Sequence, residues 1–445
     1  MRGSLFGEGY CFYDTISPTV FPHSSFVLKI FLNLVRLKLV QISLPYRCSA
    51  QAEQLTIQNF SFTVLDNIEK LGELQWNKHI PEANVLMQHE SLKLIQQIHQ
   101  NTMQFKYVLV KKDDVTIGAL YFQVVMFHAN QLINYFPEVK EGNLVMSSAK
   151  AITGKLLNLI NIKLLVSGNV FMTGEAGFYF HSEIDLATRA KIIRKAITDL
   201  RKQDSSIKAV LVSDLYEPKT DFDTDFKQCA YHEITVESDM SIKLKPEWKT
   251  FDDYLNSLSS KYRVRAKKVF SLCDGAGVTM QSLNADEIAI HENRLYELYE
   301  KVMSNADFKL AELSKDFFRL QKQQQPDNYR VHAYFRGEEL IGFISAFCFG
   351  KRMEVHYTGM DHEVCKPIHL YQHMMYDMIK TGIEYRVEQL HFGRTAPEIK
   401  STIGALPSPM FGYVKHFNPI FNYLFVRNYT ANLKPKQYVF RNPFK

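Results

Sequence analysis

Toward the carboxyl end of the chain, the stretch LHFGRTAPEIKSTIG (Leu390 to Gly404) crowds an arginine, a glutamate and a lysine between two glycines, directly after a short apolar run. Arg394 could clamp a carboxylate or phosphate through two parallel N–H bonds, or pair with Glu398 four positions on. The ammonium of Lys400 could hold an anion or neutralise charge growing on a carbonyl oxygen; as an ordinary loop lysine it would be solvated. Glu398 could take a proton from an amine or lie at the surface. Upstream, EVHYTGMDH (Glu354 to His362) offers His356 as a base, Tyr357 as a proton donor and Asp361 as a further acid or base, each with a plain alternative as a packed ring or surface charge. Strand alternation puts Val355 with Tyr357 on one face and His356 with Thr358 on the other, so only one of the two rings can enter a cleft. A third group is cationic. Lys261, Arg263, Arg265, Lys267 and Lys268, within SSKYRVRAKK, suit the phosphates of a nucleotide cofactor or of tRNA, or else form a solvated helix face.

The elements that would carry these residues occur twice. YVLVKKDDVTIGALYFQVV (Tyr107 to Val125) and VHAYFRGEELIGFISAFCF (Val331 to Phe349) both read as β-hairpins, with Ile117-Gly118 aligned on Ile341-Gly342. Each is followed by an apolar strand (GNVFMTG, Gly168 to Gly174; MEVHYTG, Met353 to Gly359), then a helix, then a return strand. The first helix buries Leu186, Ala190, Ile193, Ile197 and Leu200 on one face, with Asp185 as its cap. The second buries Tyr371, Met374, Met375 and Met378, with Pro367 in its first turn and Gly382 at its end. The return strands are IKAVLVSD and VEQLHFGR. Between the repeats, Thr250 or Asp252 caps a helix with Phe251, Tyr254, Leu255 and Leu258 inward, running into the basic stretch over 250–270. The copies differ: 56 positions separate Gly118 from Gly174 but 17 separate Gly342 from Gly359, so the first carries an insertion over Phe127 to Leu165. Asp214 and Tyr216 match Gly393 and Arg394 but lack the later Lys and Gly, which makes the second copy the better seat for catalysis.

The expected architecture is therefore α/β (α+β): two tandem domains, 52–244 and 245–445, each a mixed twisted sheet flanked by helices. At 445 residues and 46% hydrophobic, the chain suits two domains of about 200 residues. A net charge of +6, from 53 basic against 47 acidic residues, permits nucleic acid, anionic lipid or a phosphorylated cofactor and requires none. Six cysteines (Cys11, Cys48, Cys229, Cys273, Cys348 and Cys365) show no CxxC spacing, which points to a reducing, cytoplasmic setting and to no metal site. No Gly-x-Ser-x-Gly elbow, HExxH or phosphate loop of the Walker type is present, so hydrolase, zincin and NTPase readings lack support. Residues 1–51 form an extension. Its run Phe26 to Leu44 is apolar but broken by Lys29, Arg36 and Lys38, a poor membrane span that leaves peripheral contact at the inner membrane face open.

Taken together, the doubled hairpin-strand-helix-strand pattern, FDDYLNSLSSKYRVRAKK between the copies, and Gly393, Lys400 and Gly404 near the end resemble the GNAT-like acyltransferases of the Fem type. These comprise tandem GNAT folds, among them peptidoglycan bridge-forming aminoacyltransferases and the BioF-type acetyltransferase domain. The resemblance covers about Leu55 to Lys445. It implies an N-acyltransferase moving an acetyl or aminoacyl group onto a small-molecule or peptide amine, such as a cell-envelope precursor. The donor would be acyl-CoA or aminoacyl-tRNA; a non-catalytic binding protein on the same scaffold is the rival. On this reading Tyr357, His356 and Lys400 are catalytic, Arg394, Gly393, Gly404 and Glu398 bind substrate, and Lys261, Arg263, Arg265 and Lys268 meet the cofactor. One departure stands out. The Gln/Arg-x-x-Gly-x-Gly/Ala cradle that holds the pyrophosphate of acyl-CoA is replaced by GEAGFYFHSEIDL in the first copy and GMDHEVCKPIHLY in the second.

Overall fold

Two hairpins of alternating and then continuous apolar character organise the chain. The strands β1 (Phe60–Leu65), β2 (Gln104–Lys112) and β3 (Val115–His128) lie side by side and antiparallel, as do β8 (Val278–Ser282), β9 (Tyr329–Arg336) and β10 (Glu339–Phe349). In the computed structural model, residues 60–81, 84–128, 161–174, 177–216, 220–305, 309–432 and 437–445 are described. All of them belong to one compact unit. The extension 1–51 and most of the expected insertion (129–160) lie outside the described residues. The rest of that insertion is regular strand, the end of β3 and the start of β4 (Asn161–Ser167).

The remaining strands are β5 (Phe178–Phe180), β6 (Ile207–Leu215), β7 (His232–Lys243), β11 (Arg352–Met360), β12 (Gln389–His391) and β13 (Leu406–His416). In place of two separate sheets, the described residues form one 13-stranded sheet in the order β1-β2-β3-β4-β6-β13-β7-β12-β11-β10-β9-β8, with β5 also beside β3. The order is symmetric about its centre. β7 follows β6 in the chain yet pairs with β12, and β13 follows β12 yet pairs with β6; the two halves have exchanged their last strands. Two pairs are parallel, β4 with β6 and β11 with β12, at equivalent places. Each needs a crossover helix, supplied by Leu186–Gln203 and by Leu370–Glu384.

The helices that frame the sheet and the site are, in chain order, α1 (His89–His99), α2 (Leu186–Gln203), α3 (Thr220–Gln228), α4 (Phe251–Ser257), α5 (Ser260–Gly275), α6 (Ala285–Met303), α7 (Phe317–Gln324), α8 (Leu370–Glu384) and α9 (Pro397–Ser401). Asp185 caps α2 by accepting from the Thr188 N–H, and Thr250 forms a reciprocal capping box with Asp253 on α4, a device worth about 1 kcal/mol. α2 buries Ala190, Ile193, Ile197 and Leu200 as its period requires. The limits of α8 differ from expectation: Pro367 lies in the turn before it, and Gly382 is buried inside it against Leu244 and Val387 rather than ending it. Three apolar clusters result. One packs α2 and α3 on the first half, one packs α4, α5 and α8 on the second, and one runs along the opposite face of both halves beneath α6 and α7. Among the described residues no helix is long and apolar enough to cross a membrane.

GNVFMTG is a loop, not a strand. The central strand of the first half is split into β4 and β5, both paired with β3, and residues 168–174 leave the sheet after β4. A Cβ on Gly177 would lie 2.7 Å from the Gly168 nitrogen and 2.9 Å from the Ser167 carbonyl carbon, so only glycine can close the neck of this excursion. The apolar period of the loop comes from its packing against the cluster shared by both halves, where Phe171 and Met172 are buried.

Candidate functional site

The parallel pair β11–β12 lasts three residues, Arg352 with Gln389, Met353 with Leu390 and Glu354 with His391, and then the strands part. At the parting β11 bulges. Ile344 faces Thr358 and Ala346 faces Val355, so His356 and Tyr357 together oppose Ser345. The Ser345 hydroxyl fills the gap, accepting from the Tyr357 N–H at 3.0 Å and donating to the Tyr357 carbonyl at 3.2 Å. A cavity of about 40 Å³ opens in the wedge, lined by Val355, Thr358, Tyr371, Met375, Phe392 and Lys400 among others.

Lys400 reaches the wedge from α9, which starts after the left-handed Ala396 with Pro397 in its first turn. Its ammonium donates to the Phe392 carbonyl at 2.6 Å and the Gly393 carbonyl at 3.2 Å, and the residue is 2% exposed. Burial pulls its pKa down to about 7, against the opposing pull of Asp239 and Glu237. An ammonium has three N–H groups and two are committed, which leaves one for an oxygen in the cavity.

On the other face of the sheet a polar cluster crosses the exchanged strands. Asp239 of β7 receives the Nδ1 of His391 at 2.5 Å, the Gly393 N–H at 3.1 Å and the Tyr216 hydroxyl at 3.3 Å. Burial would raise the Asp239 carboxyl, but the His391 bond and the nearby Lys400 and Arg352 hold it below its usual value. Glu354 pairs with Arg352 on its own strand. Burial pushes the Glu354 carboxyl up, with His391 and Arg352 pulling the other way. Arg394 donates to Asp214 of β6 at 2.8 Å, and the other oxygen of Asp214 accepts the Gly174 N–H at 3.2 Å. The loop 168–174 and both halves thus meet at one place.

A family model described as peptidoglycan biosynthesis/recognition, FemAB-like, matches residues 185–437, more than half of the chain. The chain belongs to the FemAB-like family. No curated protein matches it. Among solved structures it is similar to FemX, at 11% identity over 82% of this chain and 99% of that one, with a TM-score of 0.49. It is also similar to a tandem GNAT protein of the clavulanic acid biosynthesis pathway, at 8% identity over 81% and 99% (TM-score 0.48). L-PGS from Bacillus licheniformis is similar at 9% identity over 72% and 87% (TM-score 0.41).

In this FemAB-like chain the expected site residues divide. Lys400, Gly393, Arg394 and Tyr357 stand around the parting strands. The bulge alters the expected alternation: His356 and Tyr357 face the same cluster, with ring centroids 4.3 Å apart, whereas Val355 packs on the opposite side. His356 has both nitrogens engaged, Nε2 with the Phe171 carbonyl at 3.2 Å and Nδ1 with the Tyr329 hydroxyl at 3.4 Å. Burial lowers its pKa to about 3, so it holds the loop of the first half in place and is a poor base. Burial raises the Tyr357 hydroxyl, opposed by the nearby Arg394. Arg394 pairs with Asp214 instead of Glu398; Glu398 accepts the Val439 N–H of the C-terminal tail at 2.9 Å. Gly404, with φ +94°, gives room to the Phe444 ring. Asp361 pairs with Lys301 at 2.6 Å.

The basic segment is two helices, α4 and α5. Lys261, Arg265, Lys267 and Lys268 are exposed on α5 and Arg263 is half-buried. Arg265 and Lys268 lie near enough to His369, ahead of α8, to help burial lower its pKa. The turn before α8 carries Pro367, Ile368 and His369 where a pyrophosphate cradle needs glycine, so the residues present do not fit that cradle. Neither Asp239 nor His391 stands out in the sequence: inside ESDMSIK and LHFGR each reads as the polar member of an alternating strand, and only the pairing of β7 with β12 joins them.

Proposed function

We propose that the chain transfers an aminoacyl group from a charged tRNA to an amine of a peptidoglycan precursor. The observation that carries this is the buried Lys400, fixed on two carbonyls with one N–H over for the wedge between β11 and β12. An ester carbonyl held in that wedge would develop its oxyanion against the ammonium. The acceptor nitrogen forms the C–N bond, the C–O bond to the tRNA ribose breaks, and the departing oxygen takes its proton from a nearby donor, for which Tyr357 is our candidate. Arg394, 36% exposed and with one N–H given to Asp214, has others for a carboxylate of the acceptor.

The exposed cations of α5 and the absence of a glycine cradle favour a polyanionic donor held by side chains over acyl-CoA. The symmetric strand order further supports two tandem GNAT-like domains, within 52–244 and 245–445, that have exchanged their final strands. The test is transfer from charged tRNA or from acetyl-CoA to a peptidoglycan stem peptide by the purified protein. Transfer from tRNA that falls at least about 100-fold in Lys400→Met supports the reading. Transfer from acetyl-CoA alone would replace the donor, and no transfer from either would leave a binding protein.

A further inference from the structure

We propose that Glu354 is the base that takes the proton from the acceptor amine, with the Asp239–His391 pair positioned behind it; this rests on the transferase reading above. Glu354 and His391 are the last paired residues before β11 and β12 separate, so they flank the point where donor and acceptor must meet. They share a face with Asp239, opposite the face where Met353, Leu390 and Met240 enter the core beneath α8. Arg352 holds Oε1 of Glu354, no described residue bonds Oε2, and the side chain keeps 15% of its surface exposed. A carboxylate oxygen with a path to solvent is what an incoming ammonium requires.

His391 supplies an independent observation. It is 4% exposed, and its Nε2 is buried without a partner among the described residues. Nδ1 is held by the Asp239 carboxyl at 2.5 Å, so Nε2 is the ring nitrogen left for another partner. A buried polar atom left so is unfavourable until something bonds it. Here it is a seat for a proton passed on from Glu354. The step balances as follows. The ammonium gives one proton to Glu354, the freed lone pair forms the C–N bond, the C–O bond breaks, and the nitrogen's second proton leaves with the departing oxygen or solvent.

The experiment compares two nucleophiles with charged tRNA as donor: the stem-peptide amine, protonated at neutral pH, and hydroxylamine, which is already unprotonated there, each counted above the uncatalysed background. Glu354→Gln is expected to slow transfer to the amine at least about 100-fold at pH 7 and to leave transfer to hydroxylamine nearly unchanged, which also certifies its fold. Measured against its own hydroxylamine rate at each pH, the amine rate of that variant should recover as pH rises. His391→Asn keeps a donor for Asp239 but removes the Nε2 acceptor, and should shift the acid limb of the amine profile while sparing hydroxylamine. The groups facing Glu354 that enter this profile are Arg352 on its own strand, His391 on β12 and Asp239 on β7, with Tyr216 beyond. Equal losses on both nucleophiles, an unchanged amine rate in Glu354→Gln, or an unaltered profile in His391→Asn overturns the proposal. A wild-type protein that uses neither nucleophile overturns the transferase reading, and this proposal with it.

Discussion

Arg394 and Asp214 form an ion pair 2.8 Å long between residues 180 positions apart, one after β12 and one at the end of β6. Asp214 is 3% exposed and sits in the left-handed region at φ +58°. Burial pushes its carboxyl up while Arg394 and the Gly174 N–H draw it down. Removing the guanidinium strands a buried carboxylate. Arg394→Ala should therefore cost about 3 kcal/mol in urea unfolding. Asp214→Asn should cost less, since asparagine tolerates the same backbone and still accepts from Gly174. The double variant should be more stable than the sum of the two losses; strict additivity would show that the pair carries no coupling.

The pair also shows where the sequence was transparent and where it was not. Both hairpins, the capped helices α2 and α4 and the buried face of α2 were legible because period and capping act within a few residues. The exchange of β7 and β13 was not, since a strand's own residues do not name its neighbour. Asp239 and Ser241 alternate with Met240 and Ile242 just as a half-exposed edge strand would. The same limit hid the Asp214 partner of Arg394, for which Glu398 was the local alternative. The bulge at His356 and Tyr357 depends on Ser345 of the adjoining strand, so simple alternation assigned their faces wrongly. Lys400 was picked out by its spacing between glycines, but its burial depends on the C-terminal turn folding back on Phe392.

If α5 meets nucleic acid, its contribution can be measured through salt. Replacing Arg263 and Arg265 by alanine should weaken binding of tRNA and reduce the slope of log affinity against log salt by about 1.5, the release of counterions from two phosphates. Filter binding between low and moderate salt reads this slope. Weaker binding with the same slope would assign the two arginines to helix packing instead.

Gly404 predicts a local failure. Its φ of +94° disfavours any side chain, and an added Cβ would run into the Phe444 ring, which packs 5.7 Å from Trp248 between ring centroids. Gly404→Ala should destabilise the protein by about 1–3 kcal/mol and free the tail that Glu398 and Ser401 hold at Val439 and Arg441. Faster carboxypeptidase trimming of the variant is the expected readout. Adding Phe444→Ala should remove the steric part of the loss but not the backbone part.

Lys400 should leave a mark on stability as well as on rate. An unfolded lysine keeps its proton to a pH of about 10.4, whereas the buried one releases it near pH 7. Between those values the unfolded chain binds more protons, so stability conferred at this position rises with pH. Relative to Lys400→Met, the wild-type protein should gain about 2 kcal/mol between pH 7 and pH 9. The rate of transfer should move the other way, because stabilising an oxyanion requires the ammonium, and kcat should decline above pH 7 along a limb absent from the variant. Denaturation series at the two pH values and a pH profile of kcat test both halves. A stability difference independent of pH would mean that Lys400 stays charged throughout, and a kcat that rises through pH 7 would make it a base instead of an oxyanion partner.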